Sequence, residues 1–155
     1  SYLFSSCFLR SHPNKANKRY CLCFTNDKIT FLCLFNPIRG AEAIAFALEE
    51  LDINFAFVSR KKKEKTIDYN HVNATTFDNY QIIINCTPLG THPNTKEFPP
   101  IPYEFFTEKH IAFDLIYNPD ETQFLKKAKK KGSTIKNGYE MLVFQAEKAW
   151  KIWNK

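Results

Sequence analysis

Y-Q-I-I-I-N-C-T-P-L-G, residues Tyr80 to Gly90, is the stretch on which the fold turns. Tyr80 to Asn85 is a predicted strand of a parallel sheet. Thr87-Pro88-Leu89-Gly90 then stops it. Proline presets one backbone angle, glycine accepts another that side chains disfavour, and together they make a tight turn. Such a turn after a strand lies at the strand's carboxyl end, where open parallel sheets hold their ligands.

The same alternation extends in both directions. Ile29 to Phe35 (I-T-F-L-C-L-F) is a predicted strand, broken by Asn36-Pro37. Gly40 to Leu51 is rich in Ala, Leu and Glu and predicts a helix. Its stripe is Ala43, Ala47 and Leu51, beside Ile44 and Leu48. Ile53 to Val58 and Ile111 to Ile116 are further strands; Thr66 to Asn70 and Ser133 to Lys136 are weaker ones. Asn118-Pro119-Asp120-Glu121 predicts a helix start: Asn118 caps, Pro119 fits the first turn, and Glu121 bonds back. That helix is expected to reach Lys131 and stop at Gly132. A last helix, Tyr139 to Trp153, carries Leu142, Ala146, Ala149, Trp150 and Trp153 on one face. Strands alternating with helices predict an α/β domain with a mainly parallel sheet.

The chain has 155 residues, 44% of them hydrophobic, enough for one globular domain with a single core. Residues 1–28 have no strand or helix period and are expected to form an irregular segment, with the domain spanning 29–155. No apolar run reaches the roughly 18 residues of a membrane span. No basic segment precedes the apolar start, which makes a poor secretory signal. The chain begins at Ser1 and its only methionine is Met141, so it reads as a fragment or processed product.

The net charge of +6 permits polyanion binding without requiring it. Lys61 to Lys65 and Lys126 to Lys131 read as solvated faces, because aromatic residues hardly interleave with them. The second run also falls in a helix's last turn, where cations favour the macrodipole. The cysteines are Cys7, Cys21, Cys23, Cys33 and Cys86, an odd number that suits reduced cytosolic thiols. Cys21-x-Cys23 with Cys33 and His12 lacks zinc-site spacing. His12, His71, His92 and His110 show no ligand spacing either, and no nucleophile motif stands out.

Four places invite a ligand. The loop Asn36-Pro37-Ile38-Arg39-Gly40-Ala41 joins a strand to a helix, where a phosphate could meet free N–H groups. Pro37 has no N–H to give, and Ile38 and Arg39 carry Cβ atoms where close approach is needed. Arg39 offers a cation in partial compensation. Val58-Ser59-Arg60-Lys61 ends another strand without the Asp or Glu that grips a ribose 2′-hydroxyl. Arg60 suits a 2′-phosphate there, or the stretch is a solvated basic exit. Tyr117, at the end of a strand, either turns its hydroxyl into the cleft or packs. Gln145 is either an exposed helix residue or, beside the apolar stripe, a cleft residue.

Taken together, N-C-T-P-L-G-T-H-P-N-T (Asn85 to Thr95), F-D-L-I-Y-N-P-D-E-T-x-F-L (Phe113 to Leu125) and N-G-Y-E-M-L-V-F-Q-A-E-K-A-W (Asn137 to Trp150) resemble the nicotinamide-cofactor domain of shikimate dehydrogenase. The likeness runs from about Gly40 to Trp153. It implies a Rossmann-like three-layer α/β domain, NADP as cofactor, and a cytoplasmic oxidoreductase of aromatic amino-acid biosynthesis. The family's reaction is reduction of 3-dehydroshikimate to shikimate. The resemblance implies cofactor contacts at Ser59, Arg60, Lys61, Thr87, Pro88, Leu89, Gly90, Leu115, Gly138 and Met141, with Arg39 and Gly40 at the phosphate loop. It implies substrate contacts at Tyr117 and Gln145. The family's catalytic Lys/Asp pair lies in an N-terminal substrate domain that shares the small-molecule substrate. Residues 1–28 match none of its motifs, so that domain is expected to be missing and no catalytic residue is named. No metal, nucleic-acid or membrane partner is implied.

The chain departs from the family's pattern in three places. Asn36, Ile38 and Arg39 stand where a G-x-G-G-A run has glycines; Ser59 and Lys61 flank Arg60 where the family has Asn and Thr; Thr91 replaces a Met. The competing expectation is a degenerate, non-catalytic relative or a basic interaction module.

Overall fold

A computed structural model describes residues 30–34, 40–60 and 66–154. The elements are β1 (Thr30–Leu34), α1 (Gly40–Glu50), β2 (Asn54–Val58), β3 (Thr66–Ile67), α2 (Ala74–Asn79), β4 (Ile82–Asn85), β5 (Ile111–Asp114), α3 (Gln123–Lys129), β6 (Thr134–Lys136) and α4 (Tyr139–Trp153). Two 3₁₀ turns, Tyr69–His71 and Tyr103–Phe105, join them.

The strands form one sheet in the order β3-β2-β1-β4-β5-β6, and every neighbouring pair is parallel. The order reverses between β1 and β4. That is the switch point of a doubly wound sheet, and it opens a crevice at the carboxyl ends. The register makes the crevice floor level: Leu34 pairs with Val58 and with Asn85, and Asn85 pairs with Asp114. The four central strands thus end side by side. The Rossmann-like α/β architecture expected from the sequence is the one observed.

Alternation along the strands divides the core in two. On one face Phe31, Cys33, Ile82, Ile84, Ile111 and Phe113 pack with Ile44 and Leu48 of α1. On the other, Leu32, Leu34, Ala56, Val58, Ile83 and Ala112 pack with Phe77 of α2 and Phe124, Leu125 and Ala128 of α3. An aromatic knot closes the second face. Phe106 stands edge-on to Phe77 at 5.0 Å and to Phe124 at 6.1 Å between ring centres. His110 belongs to this knot, with Phe77 at 5.5 Å. Its Nδ1 accepts from the Thr107 N–H at 2.9 Å, which leaves the proton on Nε2 to reach the Phe77 carbonyl at 3.0 Å. It is a satisfied core histidine.

Several expected boundaries move, each for a local reason. In α1 the buried stripe is Ile44, Ala47 and Leu48, whereas Ala43 and Leu51 are exposed. The helix stops at Glu50; Asp52, at φ 53°, turns the chain so that the Ile53 N–H reaches the Leu48 carbonyl at 2.9 Å. Strand Thr66 to Asn70 is only Thr66–Ile67, because the Asp68 carboxylate accepts from the Asn70 N–H at 2.8 Å and starts a 3₁₀ turn. Strand Tyr80 to Asn85 begins at Ile82, since Tyr80 closes α2. Helix α2 itself was not expected. Asn73 and Thr76 cap each other reciprocally there.

The helix expected from Asn118 to Lys131 is Gln123–Lys129, capped by Thr122. Asn118 is engaged elsewhere: its carbonyl accepts from the His92 N–H at 3.4 Å. Strand Ile111 to Ile116 ends at Asp114, and Ser133 precedes β6 rather than joining it. Ile29 and Phe35, the loop Asn36 to Arg39, Lys61 to Lys65 and residues 1–28 lie outside the described residues. No helix among the described residues is long and apolar enough to cross a membrane.

Candidate functional site

The crevice wall is built where β4 and β5 end. The strand ends are polar where the rest of the strands is apolar: Asn85 and Asp114 are both fully buried. Asn85 Nδ2 donates to Asp114 Oδ1 at 3.1 Å and lies 3.5 Å from the Leu89 carbonyl. Asn85 Oδ1 accepts from the Thr87 N–H at 3.0 Å and the Thr87 hydroxyl at 2.7 Å. The Thr87 hydroxyl in turn accepts from the Leu89 N–H at 3.3 Å. One amide side chain therefore shapes the turn Thr87 to Gly90 from inside.

Asp114 is the hub. Its Oδ1 also accepts from the Ile116 N–H at 3.0 Å, and its Oδ2 accepts from the Thr122 hydroxyl at 2.6 Å. The Ile116 bond bends the chain, which is why β5 stops at Asp114. Burial pushes the carboxyl up to about 6 from its ordinary 3.8, although all three hydrogen bonds pull it down. Thr122 caps α3, its hydroxyl accepting from the Leu125 N–H at 3.4 Å. It also packs on Gly90: a Cβ there would lie 3.4 Å from Thr122 Cβ and 3.1 Å from the Glu97 carbonyl. Gly90 has φ 101°, so the turn needs glycine for its backbone as well.

The expected site residues distribute along this edge. Thr87 and Gly90 are buried, Leu89 is half-buried and Pro88 exposed. Leu115 is half-buried, and Tyr117 is 48% exposed. Gly138 touches the same segment. Its N–H bonds the Ile116 carbonyl at 3.1 Å, and a Cβ on it would lie 2.1 Å from the Leu115 carbonyl oxygen. That contact alone requires glycine at 138. It fixes the start of α4, which carries Met141, half-buried, and Gln145, exposed. The apolar stripe beside Gln145 is not a covered one: no residue of α4 is buried.

At the β2 end, Ser59 is buried and its N–H bonds the Ile67 carbonyl at 2.9 Å. Arg60 is exposed immediately beyond. Burial pushes the Tyr69 hydroxyl up to about 12, against the pull of the Arg60 cation. Lys61 and Arg39 lie outside the described residues, and of Gly40 only its place at the start of α1 is described. At the switch point Cys86 is buried beside Cys33; their hydrogen bond and burial push the Cys86 thiol well above its ordinary value. Two of the three lysines of α3 have partners. Lys129 pairs with Glu121 at 2.6 Å, and Lys127 Nζ lies 4.3 Å from the centre of the Phe98 ring.

Asn85, Asp114 and Thr122 stand inside the quoted motifs, but the sequence alone assigns them no role. The available signal was a polar residue ending each of two apolar strands.

No protein-family model matches the chain. Its similarity lies with individual proteins. It is 38% identical over 132 residues to shikimate dehydrogenase (NADP(+)) of Methanococcus maripaludis, covering 85% of this chain and 44% of that protein. A crystal structure of shikimate dehydrogenase in complex with NADP+ superposes with a TM-score of 0.70 at 32% identity, covering 81% of this chain and 49% of that one. This chain is a homologue of part of shikimate dehydrogenase. A Thermus thermophilus shikimate 5-dehydrogenase in complex with NADP(H) and shikimate agrees, with a TM-score of 0.66 at 26% identity over 79% of this chain and 48% of that one. The chain spans about half the length of the curated relatives it matches, 44% and 52% for two of them.

Proposed function

We propose that this chain is the NADP(H)-binding portion of a shikimate dehydrogenase, a cytoplasmic oxidoreductase that reduces 3-dehydroshikimate to shikimate for aromatic amino-acid synthesis. The observation that carries the reading is the carboxyl edge of the sheet. The turn Thr87 to Gly90, the exit Leu115 to Tyr117 and Gly138 converge beside the switch point, in a chain homologous to shikimate dehydrogenases. The donor chemistry at β2 fits NADP: Arg60 stands exposed there and residues 59–63 include no carboxylate. Arg60, with Ser59 and Lys61, would hold the 2′-phosphate. Thr87, Pro88, Leu89 and Gly90 would line the cofactor, with Leu115, Gly138 and Met141 walling the nicotinamide, and Arg39 and Gly40 would meet the pyrophosphate. When bound, NADPH supplies the hydride. Tyr117 and Gln145 would orient the substrate, and proton transfer falls to the Lys/Asp pair of the family's other half.

Titration with NADPH, followed by nicotinamide fluorescence, tests this. The chain should bind NADPH saturably, and Arg60→Ala should weaken that binding at least tenfold while leaving NADH unchanged. A second reading, a relative that keeps the fold without the cofactor, rests on the loop Asn36-Pro37-Ile38-Arg39, which lacks glycine spacing. Absence of binding at millimolar NADPH would select it.

A further inference from the structure

We propose that Asp114 is a positioning residue of the cofactor crevice: through Asn85 on one side and Thr122 on the other it holds the turn Thr87 to Gly90 against the strand exit Leu115 to Tyr117. The proposal rests on the NADP(H)-binding reading above for what the turn serves.

The contacts around Asp114 form a closed ring. From Asp114 Oδ1 the path runs through Asn85 to the backbone of Thr87 and Leu89. From Oδ2 it runs through Thr122, whose side chain abuts Gly90. Both ends of the turn are therefore set by one carboxylate. The same carboxylate fixes Ile116, hence the segment that carries Leu115 and Tyr117. Among the described residues every buried side-chain N or O has a partner, so the ring has no slack to absorb a lost bond. The bonds of Asp114 itself are all buried. Asp114 acts through its neighbours and not on a ligand.

Three donors converge on Asp114, an arrangement that suits the ionised acid. A proton on Oδ2 competes with the Thr122 hydroxyl for that oxygen, so the hydroxyl must give up its bond there or turn to accept with its remaining lone pair. The titratable groups that feel this carboxylate are Cys86, beyond β4, and Tyr103, on a 3₁₀ turn; both are held above their ordinary values and stay neutral at pH 5–8. Acid should therefore loosen the turn while it stabilises the fold, because a buried carboxyl is less costly neutral. A merely structural role would move both in one direction.

The experiment compares wild type, Asp114→Asn, Thr122→Val and Thr122→Ser for NADPH affinity between pH 5 and 8, at temperatures where each melts well above the assay. We expect at least tenfold weaker binding in Asp114→Asn and Thr122→Val at pH 7.5, with Thr122→Ser within twofold of wild type. The cofactor's 2′-phosphate also titrates near pH 6, so the readout is the difference between wild type and Asp114→Asn. That difference should vanish toward pH 5. Affinity within twofold in Asp114→Asn overturns the proposal. If wild type binds no NADPH, the reading above fails instead, and the ring is decided without ligand by amide NMR. The Thr87 and Leu89 amides should then shift with a midpoint near pH 6 in wild type and stay fixed in Asp114→Asn; fixed resonances in wild type overturn it.

Discussion

Two regions of this domain are held in opposite ways. At the ends of β4 and β5, Asn85, Thr87, Asp114 and Thr122 are all buried, and each bonds another member of the group. Along α4 the reverse holds. Its first turn is pinned by Gly138 and by the Lys136–Glu140 ion pair at 2.6 Å, yet no residue of the helix is buried. Tyr139, Leu142, Trp150, Ile152 and Trp153 stand 56%, 37%, 67%, 57% and 80% exposed, so large apolar side chains are exposed from its first turn to its last. The crevice wall is therefore pre-organised by this chain alone, whereas the apolar face of α4 is at most half-covered among the described residues. Substitutions should cost much on the first side and little on the second.

The largest effect should come from the apolar support beneath the polar ring. Phe124 is fully buried against Tyr103 and Phe106, just after the Thr122 cap. Phe124→Ala should cost about 3–5 kcal/mol in urea unfolding. A cost below about 1 kcal/mol would mean that this side is no tighter than α4.

Next is the acid itself. The folded chain holds the Asp114 proton more tightly than the unfolded chain does, at about 6 against 3.8. Its stabilising contribution is thus complete below about pH 3.8 and lost as pH rises through about 6. The rise corresponds to roughly 3 kcal/mol. Between pH 8 and pH 4.5 wild type should gain most of that relative to Asp114→Asn. A flat difference in melting temperature would show that the carboxyl is well solvated and the ring looser than its distances.

The same contrast explains what sequence could disclose. Strands β1, β4 and β5 are short apolar runs, and their burial follows from composition alone. The turn at Gly90 is legible because few residues accept its backbone. Which cap starts α3 is not legible. Asn118 and Thr122 are both good caps, and the choice falls to Thr122 because Asp114, across the ring, holds its hydroxyl. Helix α2 escapes notice because its capping box uses Thr76 in place of Glu or Gln, in a mostly polar stretch. On α4 the stripe was visible, but a stripe says only that a face is apolar, not that anything covers it.

The border between the two regions is Gly138. Its backbone angle, φ −80°, is one any residue adopts, so the demand for glycine is purely spatial. The Leu115 carbonyl oxygen sits where a Cβ would go, 2.1 Å away, and it belongs to the exit of β5. Gly138→Ala must shift either that exit or the root of α4. The cost should be about 1–3 kcal/mol by thermal unfolding. Because the exit is held by Asp114 and α4 by little, the helix should be what moves. Amide shifts should then spread through Tyr139 to Phe144 and leave Thr87 and Leu89 unchanged. Shifts concentrated in the turn would reverse the ranking of the two regions.

The smallest effect tests the exposed end. Trp150 is two-thirds exposed, and its ring has little apolar area to lose on truncation. Trp150→Ala should change stability by less than about 0.5 kcal/mol. Its indole fluorescence should respond readily to soluble quenchers. Trp153, at 80% exposed, emits alongside it, so the Trp150→Ala protein isolates the second ring. A blue-shifted, poorly quenched emission in wild type at micromolar concentration would mean that these rings are covered in solution. If that emission reddens on dilution, the cover is another copy of the chain; if it does not, the chain itself closes over α4. Either result would end the contrast between a finished wall and an uncovered helix.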